Sequence, residues 1–221
     1  MDLQEAIRAR HSVRRYTDRK IEGDVLAQLE RVVADCNRES GLHIQLCLDE
    51  PAAFTGMMAR YGKFHNVRNY VALVGKKGDT LQEACGYYGE RIVLEAQRLG
   101  LNTCWVAASY SKGKAAAAVH PGEKLLMVLV IGYGETGGVP RKGKRVEELC
   151  LCNGEMPDWF RRGVEAASLA PTALNQQKFR FALQGNVVSA TAGSGFYTKT
   201  DLGIAKYHFE VGAGEGGWKW A

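Results

Sequence analysis

Apolar residues in the first two thirds of the chain follow helical spacing in some stretches and strand spacing in others. Helical spacing predicts a short helix after Asp2, a second helix that begins at Asp24 and ends at Gly41, and a long helix over 81–99. Gly100 is suited to end the long helix. Shorter apolar runs predict further elements: strands at 42–48, 70–74, 103–106 and 125–131, and an alanine-rich helix at 111–119.

The last third of the chain repeats part of this order. Pro157 is well placed to begin a helix whose apolar face continues to Leu169. A strand pair at 179–183 and 187–192 follows, and a last helix is predicted at 201–211. Because the order helix, link, strand, long helix occurs twice, we predict two lobes: residues 1–150, and a truncated second copy at 151–221.

The composition is that of an ordinary globular protein. The chain has 221 residues, of which 46% are hydrophobic and 24% charged, and this is enough to bury a sizeable core. No apolar run approaches the length of a membrane span. The first residues are acidic and helical in pattern rather than typical of a signal peptide. We therefore expect a cytoplasmic protein without a membrane partner.

The net charge of +5 favours small anionic ligands. The excess is concentrated in short runs, among them residues 8–10, 14–15, 76–77 and 141–145. A balance this modest favours binding of phosphate groups, and we predict no nucleic-acid partner.

Neither the cysteines nor the histidines have the spacing of metal ligands. The six cysteines are irregularly spaced and include no C-x-x-C pair, so we expect no metal. Four lie in apolar stretches and are predicted to be small core residues: Cys36, Cys47, Cys85 and Cys104. For Cys150 and Cys152 a redox role stays open as the alternative. The histidines outside the motif described next are scattered and are predicted to be structural or exposed: His43, His65, His120 and His208.

Two motifs far apart in the chain carry the most specific signal. Arg10-His11-Ser12-Val13-Arg14 lies near the N-terminus, and Pro171-Thr172-Ala173-Leu174-Asn175-Gln176-Gln177 follows much later. Guanidinium and hydroxyl groups suit a phosphate, and amide side chains present a donor and an acceptor to a polar ring edge. The pair resembles the two halves of the flavin mononucleotide (FMN) site of the nitroreductase family, where each half usually comes from a different subunit.

The resemblance assigns further residues to the same cofactor. It implies that Arg10, His11 and Ser12 face the phosphate and that Arg14 faces the pyrimidine side of the ring. Pro171, Thr172, Ala173, Asn175 and Gln177 would contact the ring edge. The sequence before Trp105 is similar to a family motif whose following backbone lies on one ring face. The remaining candidates are Val106, Ala107 and Ala108 at this face, Lys63 at the ring edge, and Lys144 and Arg145, with Lys142 behind them, at the phosphate.

The resemblance implies an α+β nitroreductase-like fold, with a mixed, mainly antiparallel sheet flanked by helices. Since each motif occurs once, we predict a monomer that is an internal pseudo-dimer with one FMN. NAD(P)H would deliver hydride to the flavin, and nitroaromatics, quinones or similar acceptors would receive the electrons. No protein side chain is predicted to be catalytic. Two alternatives stay open: an FMN-binding storage or sensing protein without turnover, and an interaction domain whose basic loops bind an acidic partner.

Overall fold

A four-stranded antiparallel sheet is the centre of the first part of the molecule. The computed structural model describes residues 1–140 and 142–221. The strands are β1 Gln45–Cys47, β2 Tyr70–Lys76, β3 Asn102–Val106 and β4 Glu123–Gly132, in the order β1-β2-β4-β3. Because β2 and β4 are apolar almost throughout, both faces of their pairing are buried, with Tyr70 opposite Val130 and Val71 opposite Leu129.

Helices cover this sheet. They are α1 Leu3–Ala9, α2 Gly23–Ser40, α3 Met57–Tyr61 and α4 Leu81–Arg98, with short 3₁₀ helices at Pro51–Phe54 and Lys112–Lys114. Asp2 and Glu5 form a capping box that fixes the start of α1. Gly41 ends α2 with a φ of 68°, a left-handed conformation that favours glycine. The apolar stripe of α2 packs on α4 and on one face of the sheet.

A second four-stranded sheet lies in the last third of the chain. Its strands are β5 Cys150–Cys152, β6 Phe179–Gln184, β7 Val187–Ala192 and β8 Lys219–Trp220, in chain order across the sheet. β6 and β7 form an antiparallel hairpin, whereas β5 and β8 join its edges in parallel. The helices are α5 Val146–Leu149, α6 Asp158–Ser168 and α7 Thr198–Ala213. Stacked Phe181 and Phe209 lie in its core.

The two long helices α4 and α7 cross at a pair of glycines. A Cβ atom on Gly86 of α4 would collide with the carbonyl oxygen of Thr200, and a Cβ on Gly203 of α7 would collide with that of Glu83. Each glycine therefore contacts the residue that lies three positions before the other glycine in the partner helix. A reciprocal contact of this kind is typical of an interface with two-fold symmetry. Here it joins two helices of one chain.

The sequence-based prediction of an α+β fold with antiparallel pairing and flanking helices is confirmed. The expectation of one mixed sheet needs correction, because the strands form two sheets, of which only the second is mixed. The helix predicted at 111–119 is also wrong. Beyond Lys114 these residues are extended, because the Gln45 side chain accepts a hydrogen bond from Ala118 N and donates one to Ala118 O, both at 2.8 Å.

Two predicted elements differ clearly in their bounds. The strand at 42–48 is shortened to β1, and the last helix is longer at both ends. None of the helices in the described ranges is both long and apolar enough to span a bilayer.

Candidate functional site

A cavity of about 360 Å³ lies where the two motifs of the sequence meet. Ser12 and Arg14 of the N-terminal motif form part of its wall, and Pro171, Thr172 and Ala173 of the later motif form another part. Its volume is within the usual range for a small-molecule site. The remaining lining residues come from the same later motif, from β3 and the residue after it, from β4, and from the region of α7: Leu174, Gln176, Cys104, Trp105, Val106, Ala107, Met127, Phe196, Tyr197, Thr200, Asp201 and Ile204.

The N-terminal motif is held against strand β3. Ser12 forms a parallel bridge with Thr103, and Val13 N donates to Thr103 O at 3.0 Å. Side chains alternate between the two sides of an extended segment: Val13 is buried, and its neighbours Ser12 and Arg14 line the cavity. The Arg14 side chain is largely exposed, and its guanidinium carbon lies 6.0 Å from the Phe64 ring centre. The motif therefore presents a hydroxyl and a cation at the cavity wall.

Behind β3 lies a buried polar cluster around Glu90 of α4. Trp105 Nε1 donates to Glu90 Oε2 at 2.8 Å, and His208 Nε2 lies 2.8 Å from Glu90 Oε1. Arg10 Nε is 3.9 Å from the same oxygen. Burial lowers the pKa of Arg10, an effect that the Glu90 carboxylate partly offsets. Within the described ranges, Arg10 Nε and Nη2 have no hydrogen-bond partner.

The loop that carries the later motif has a strained backbone. Leu174, Asn175 and Gln177 have φ values of 52°, 52° and 44°, in the left-handed region that L residues rarely occupy. Asp201, at the start of α7, holds this loop with both carboxylate oxygens. Ala173 N donates to Oδ1 at 3.0 Å and Gln176 Nε2 donates to Oδ2 at 2.7 Å. Burial raises the pKa of Asp201 to about 6, although these two hydrogen bonds lower it.

The amide side chains of the motif bind other protein groups. Gln177 is buried; its Oε1 accepts from Lys144 N at 2.7 Å, and its Nε2 donates to Ser168 O. Lys144 Nζ donates to Gln177 O at 3.0 Å. Asn175 Nδ2 donates to Lys142 O at 2.9 Å. The motif therefore attaches the basic segment 142–145 to the loop.

Half of the predicted cofactor residues line the cavity and half do not. Those that line it are Ser12, Arg14, Trp105, Val106, Ala107, Pro171, Thr172 and Ala173. Those outside its lining are Arg10, His11, Lys63, Ala108, Lys144, Arg145, Asn175 and Gln177. Arg141 of the basic run lies outside the described residues.

The physical reasons for these placements differ. Arg10 is buried beside Glu90, and the side-chain amide of Gln177 is saturated by Lys144 and Ser168. Asn175 points to the basic segment. Arg145 is exposed and pairs with Glu148, and Lys63 is exposed after the last turn of α3.

Sequence reasoning missed the contribution of α7 and the residues before it. Asp201 and Thr200 line the cavity, although Asp201 was predicted only as the first residue of a helix and Thr200 lies just before that predicted helix. Thr200 Oγ1 is buried and has no hydrogen-bond partner within the described ranges. The available signal was an acidic residue in the first turn of the helix, directly before the apolar run 202–205.

Comparison with known proteins decides the family. A family model described as "Putative TM nitroreductase" matches residues 2–213. The chain is a member of this nitroreductase family. No curated protein matches the sequence.

Solved structures of the nitroreductase fold are similar over much of the chain. A "putative nitroreductase" from Thermotoga maritima has a TM-score of 0.69 and 25% identity, covering 96% of this chain and 83% of the other. A "putative nitroreductase in complex with FMN" from Desulfovibrio desulfuricans has a TM-score of 0.52 and 18% identity, covering 71% and 98%.

A third solved structure matches over a similar length. It is a "putative NADH dehydrogenase/NAD(P)H nitroreductase" from Parabacteroides distasonis, with a TM-score of 0.52 and 21% identity over 66% of this chain and 95% of the other. Together with the family match, these similarities confirm the nitroreductase fold.

Proposed function

We propose that the protein is an FMN-dependent oxidoreductase that uses NAD(P)H and reduces a small acceptor such as a nitroaromatic or a quinone. The observation that carries this proposal is the shared cavity: Ser12 and Arg14 line it together with Pro171, Thr172 and Ala173. Segments some 160 positions apart in the chain thus reach one small-molecule site. The FMN and NAD(P)H named for two of the similar structures agree with this proposal.

The chemistry of the cavity fits a flat ring with polar edges. Trp105, Val106 and Ala107 offer an apolar wall with a small residue at its end, where a ring can approach the backbone. Arg14 and Ser12 offer a cation and a hydroxyl, and Thr200, whose buried hydroxyl has no partner among residues 1–140 and 142–221, also lines the cavity. An unpartnered buried hydroxyl is unfavourable, so a ligand that bonds to it gains affinity.

In this proposal, FMN supplies two-electron transfer between NAD(P)H and the acceptor, and the protein binds and orients it. Arg14 provides the positive charge at the ring edge, and the Thr172–Ala173 segment provides the opposite wall. The basic segment at Lys142, Lys144 and Arg145 is proposed for the phosphate, because these cations are exposed and attached to the loop at 171–177. Arg10 is buried beside Glu90 outside the cavity lining, and we propose that it positions the N-terminal motif rather than binding the phosphate.

We further propose that one chain forms one complete site, as an internal pseudo-dimer of residues 1–150 and 151–221. The reciprocal contact of Gly86 and Gly203 supports a former two-fold interface between α4 and α7. The first part contributes Ser12 and Arg14, and the second part contributes the loop at 171–177. Each part lacks the motif that the other part carries, which is expected if a duplicated chain has kept a single site.

The first test measures flavin binding and turnover. The purified full chain is expected to bind one FMN, to lose its visible flavin absorbance on addition of NADH or NADPH, and to regain it with a quinone. Arg14→Ala should weaken FMN binding by about 1–3 kcal/mol, or roughly five- to 150-fold in Kd. Arg15→Ala is the matched control, since Arg15 pairs with Glu135 on the surface at 2.7 Å. Equal losses in both variants would contradict the proposed site, and binding without bleaching would favour a storage protein.

The second test asks whether the site lies within one chain. Arg14→Ala removes a group from the first part, and Ala173→Trp fills the cavity from the second part. When the two variants are co-expressed, no tight FMN binding should return. If part of the mixture recovered full affinity, the site would be shared between two chains and the pseudo-dimer proposal would fail.

A further inference from the structure

A cluster of two imidazoles and one carboxylate lies outside the cavity, where β1 and β4 begin. His43 precedes β1, His120 precedes the turn into β4, and Glu123 is the first residue of β4. Each residue offers one imidazole nitrogen or carboxylate oxygen, and these three atoms all lie within 4.8 Å of one another. We propose that His43, His120 and Glu123 bind a divalent transition-metal ion, with Zn²⁺ as the representative ion.

The carboxylate is already aimed at both histidines. Glu123 Oε2 lies 3.0 Å from His43 Nδ1, and it accepts a hydrogen bond from His120 N at 2.9 Å. The two imidazole rings are parallel within 3°, with centres 4.9 Å apart. A neutral imidazole can carry its proton on either nitrogen, so the nitrogen facing Glu123 can offer its lone pair to an ion without a change in net charge.

The backbone around the cluster is fixed by other bonds. Glu123 N donates to His120 O at 2.9 Å, which closes a tight turn in which Gly122 has a φ of 84°. Ala118 is bound at N and O by the Gln45 side chain, and Ala116 N donates to Tyr70 OH at 2.7 Å. His120 therefore belongs to an ordered segment, and only small side-chain movements are needed to close the ligands around an ion.

The ligand set matches the chemistry of zinc. Two imidazoles and one carboxylate are the protein ligands of many open zinc sites, where water takes the fourth position. His43 and Glu123 are partly buried, whereas His120 is exposed, so the ion can enter from solvent. The three residues come from separate parts of the sequence or from a turn, so their spacing gave no signal. None of them lines the cavity, and the proposal is independent of flavin binding.

The experiment uses the tag-free full chain, treated with a chelator and then titrated with ZnCl₂ by calorimetry. One equivalent is expected to bind and to raise the melting temperature, because the ion binds the folded form. His120→Ala should weaken the binding by at least about 100-fold, since even residues behind the ligands cost about 10–100-fold. Glu123→Gln, which keeps the size of the side chain, should do the same. The exposed position of His120 makes its replacement safe for folding.

His65→Ala is the matched control. His65 Nδ1 lies 3.7 Å from Glu135 but belongs to no three-residue cluster within the described ranges, so its replacement should leave zinc binding unchanged. Co²⁺ substitution provides a second readout, because an imidazole–carboxylate site lacks the thiolate charge-transfer band that cysteine ligation gives. The proposal is overturned by the absence of stoichiometric binding, by full binding in His120→Ala, by equal loss in His65→Ala, or by a thiolate band.

Discussion

Asp201 is the residue that ties the strained loop at 171–177 to the rest of the molecule. Its two carboxylate oxygens each accept a hydrogen bond from this loop, one from the backbone of Ala173 and one from the side chain of Gln176. Three residues of the loop have positive φ values, each of which costs about 1–3 kcal/mol and persists only where the surrounding structure holds it. Asp201 therefore contributes to the cavity wall by fixing the loop rather than by direct chemistry.

The raised pKa of Asp201 leads to a prediction about stability and pH. Burial raises its pKa from the usual 3.8 of an aspartate to about 6 in the folded protein, so folding favours the protonated form. The resulting stabilisation is fully present below about pH 4 and is lost as the pH rises through about 6. The loss amounts to about 2–3 kcal/mol at neutral pH, since one pKa unit corresponds to about 1.4 kcal/mol.

Urea unfolding of the wild type and Asp201→Asn at a series of pH values measures this loss. The difference between the two unfolding free energies should change between about pH 4 and pH 7, because only the wild type titrates at this position. A flat difference for Asp201→Asn would show that the carboxyl does not titrate near 6.

At the scale of single residues, the sequence predicted which residues line the cavity better than it predicted what their side chains bind. Ser12, Arg14 and Pro171–Ala173 were predicted as site residues, and they line the cavity. Asn175 and Gln177 were chosen because amides suit a ring edge, yet both bond to backbone groups of the basic segment and α6. An amide side chain fits a ligand and a backbone group equally well, so composition alone could not distinguish these uses.

The crossing of α4 and α7 is the main contact between elements of the two parts. It depends on Gly86 and Gly203, where the helix backbones approach too closely for a side chain. Residues of α7 are buried along most of its length, so the helix packs on several sides. Close packing of this kind tolerates added volume poorly.

Gly203→Ala tests the crossing. The new methyl group would collide with the carbonyl oxygen of Glu83, and separating the helices should destabilise the protein by about 1–3 kcal/mol. The higher helix propensity of alanine acts in the opposite direction and stabilises the helix by about 1 kcal/mol. The measurement is the free energy of unfolding in urea.

Gly113→Ala is the control for the crossing. No atom lies within 4 Å of a Cβ at Gly113, and its φ is not positive. The unfolding free energy of this variant should stay within about 0.5 kcal/mol of the wild type. If Gly203→Ala were as stable as Gly113→Ala, helices α4 and α7 would be able to move apart at Gly203 without a loss of stability.

Most elements followed from apolar spacing, and the exceptions have local causes. The three long helices and the β6–β7 hairpin were predicted because their pattern runs over many residues. The alanine-rich segment was predicted as a helix from propensity, but Gln45 holds it extended beside β1. Propensity is a weak preference, and a tertiary contact formed by a residue some 70 positions away cannot be read from the segment itself.

At the scale of the whole molecule, one chain builds two separate sheets. β5 lies at the boundary between the two parts and pairs in parallel with β6 of the second part, with Cys150 opposite Phe181. The sequence predicted two parts with a boundary at residue 150, but it gave no sign of a separate second sheet. Pairing between distant short strands depends on topology, which apolar spacing does not encode.

Because β5 pairs with a strand that follows it in the chain, we predict that the chain can be divided after β5 without losing the fold. Residues 153–155 form an exposed turn between β5 and α6. Fragments 1–154 and 155–221 should associate one to one, because β5 adds to β6 and α4 packs on α7. Light scattering after size-exclusion chromatography would detect the complex, and the Gly203→Ala version of the second fragment should bind more weakly. Fragments that elute separately would contradict this expectation.

During synthesis, β5 leaves the ribosome before the strand with which it pairs. β5 is synthesised before β6 and β7, so its backbone donors stay unsatisfied while the first sheet is already complete. During this interval the nascent chain presents an open strand edge to any neighbouring polypeptide, and such edges promote aggregation. A delay in translation that falls when β5 has left the ribosome and β6 is still inside it should therefore lower the yield of native protein more than the same delay placed before β5 has emerged.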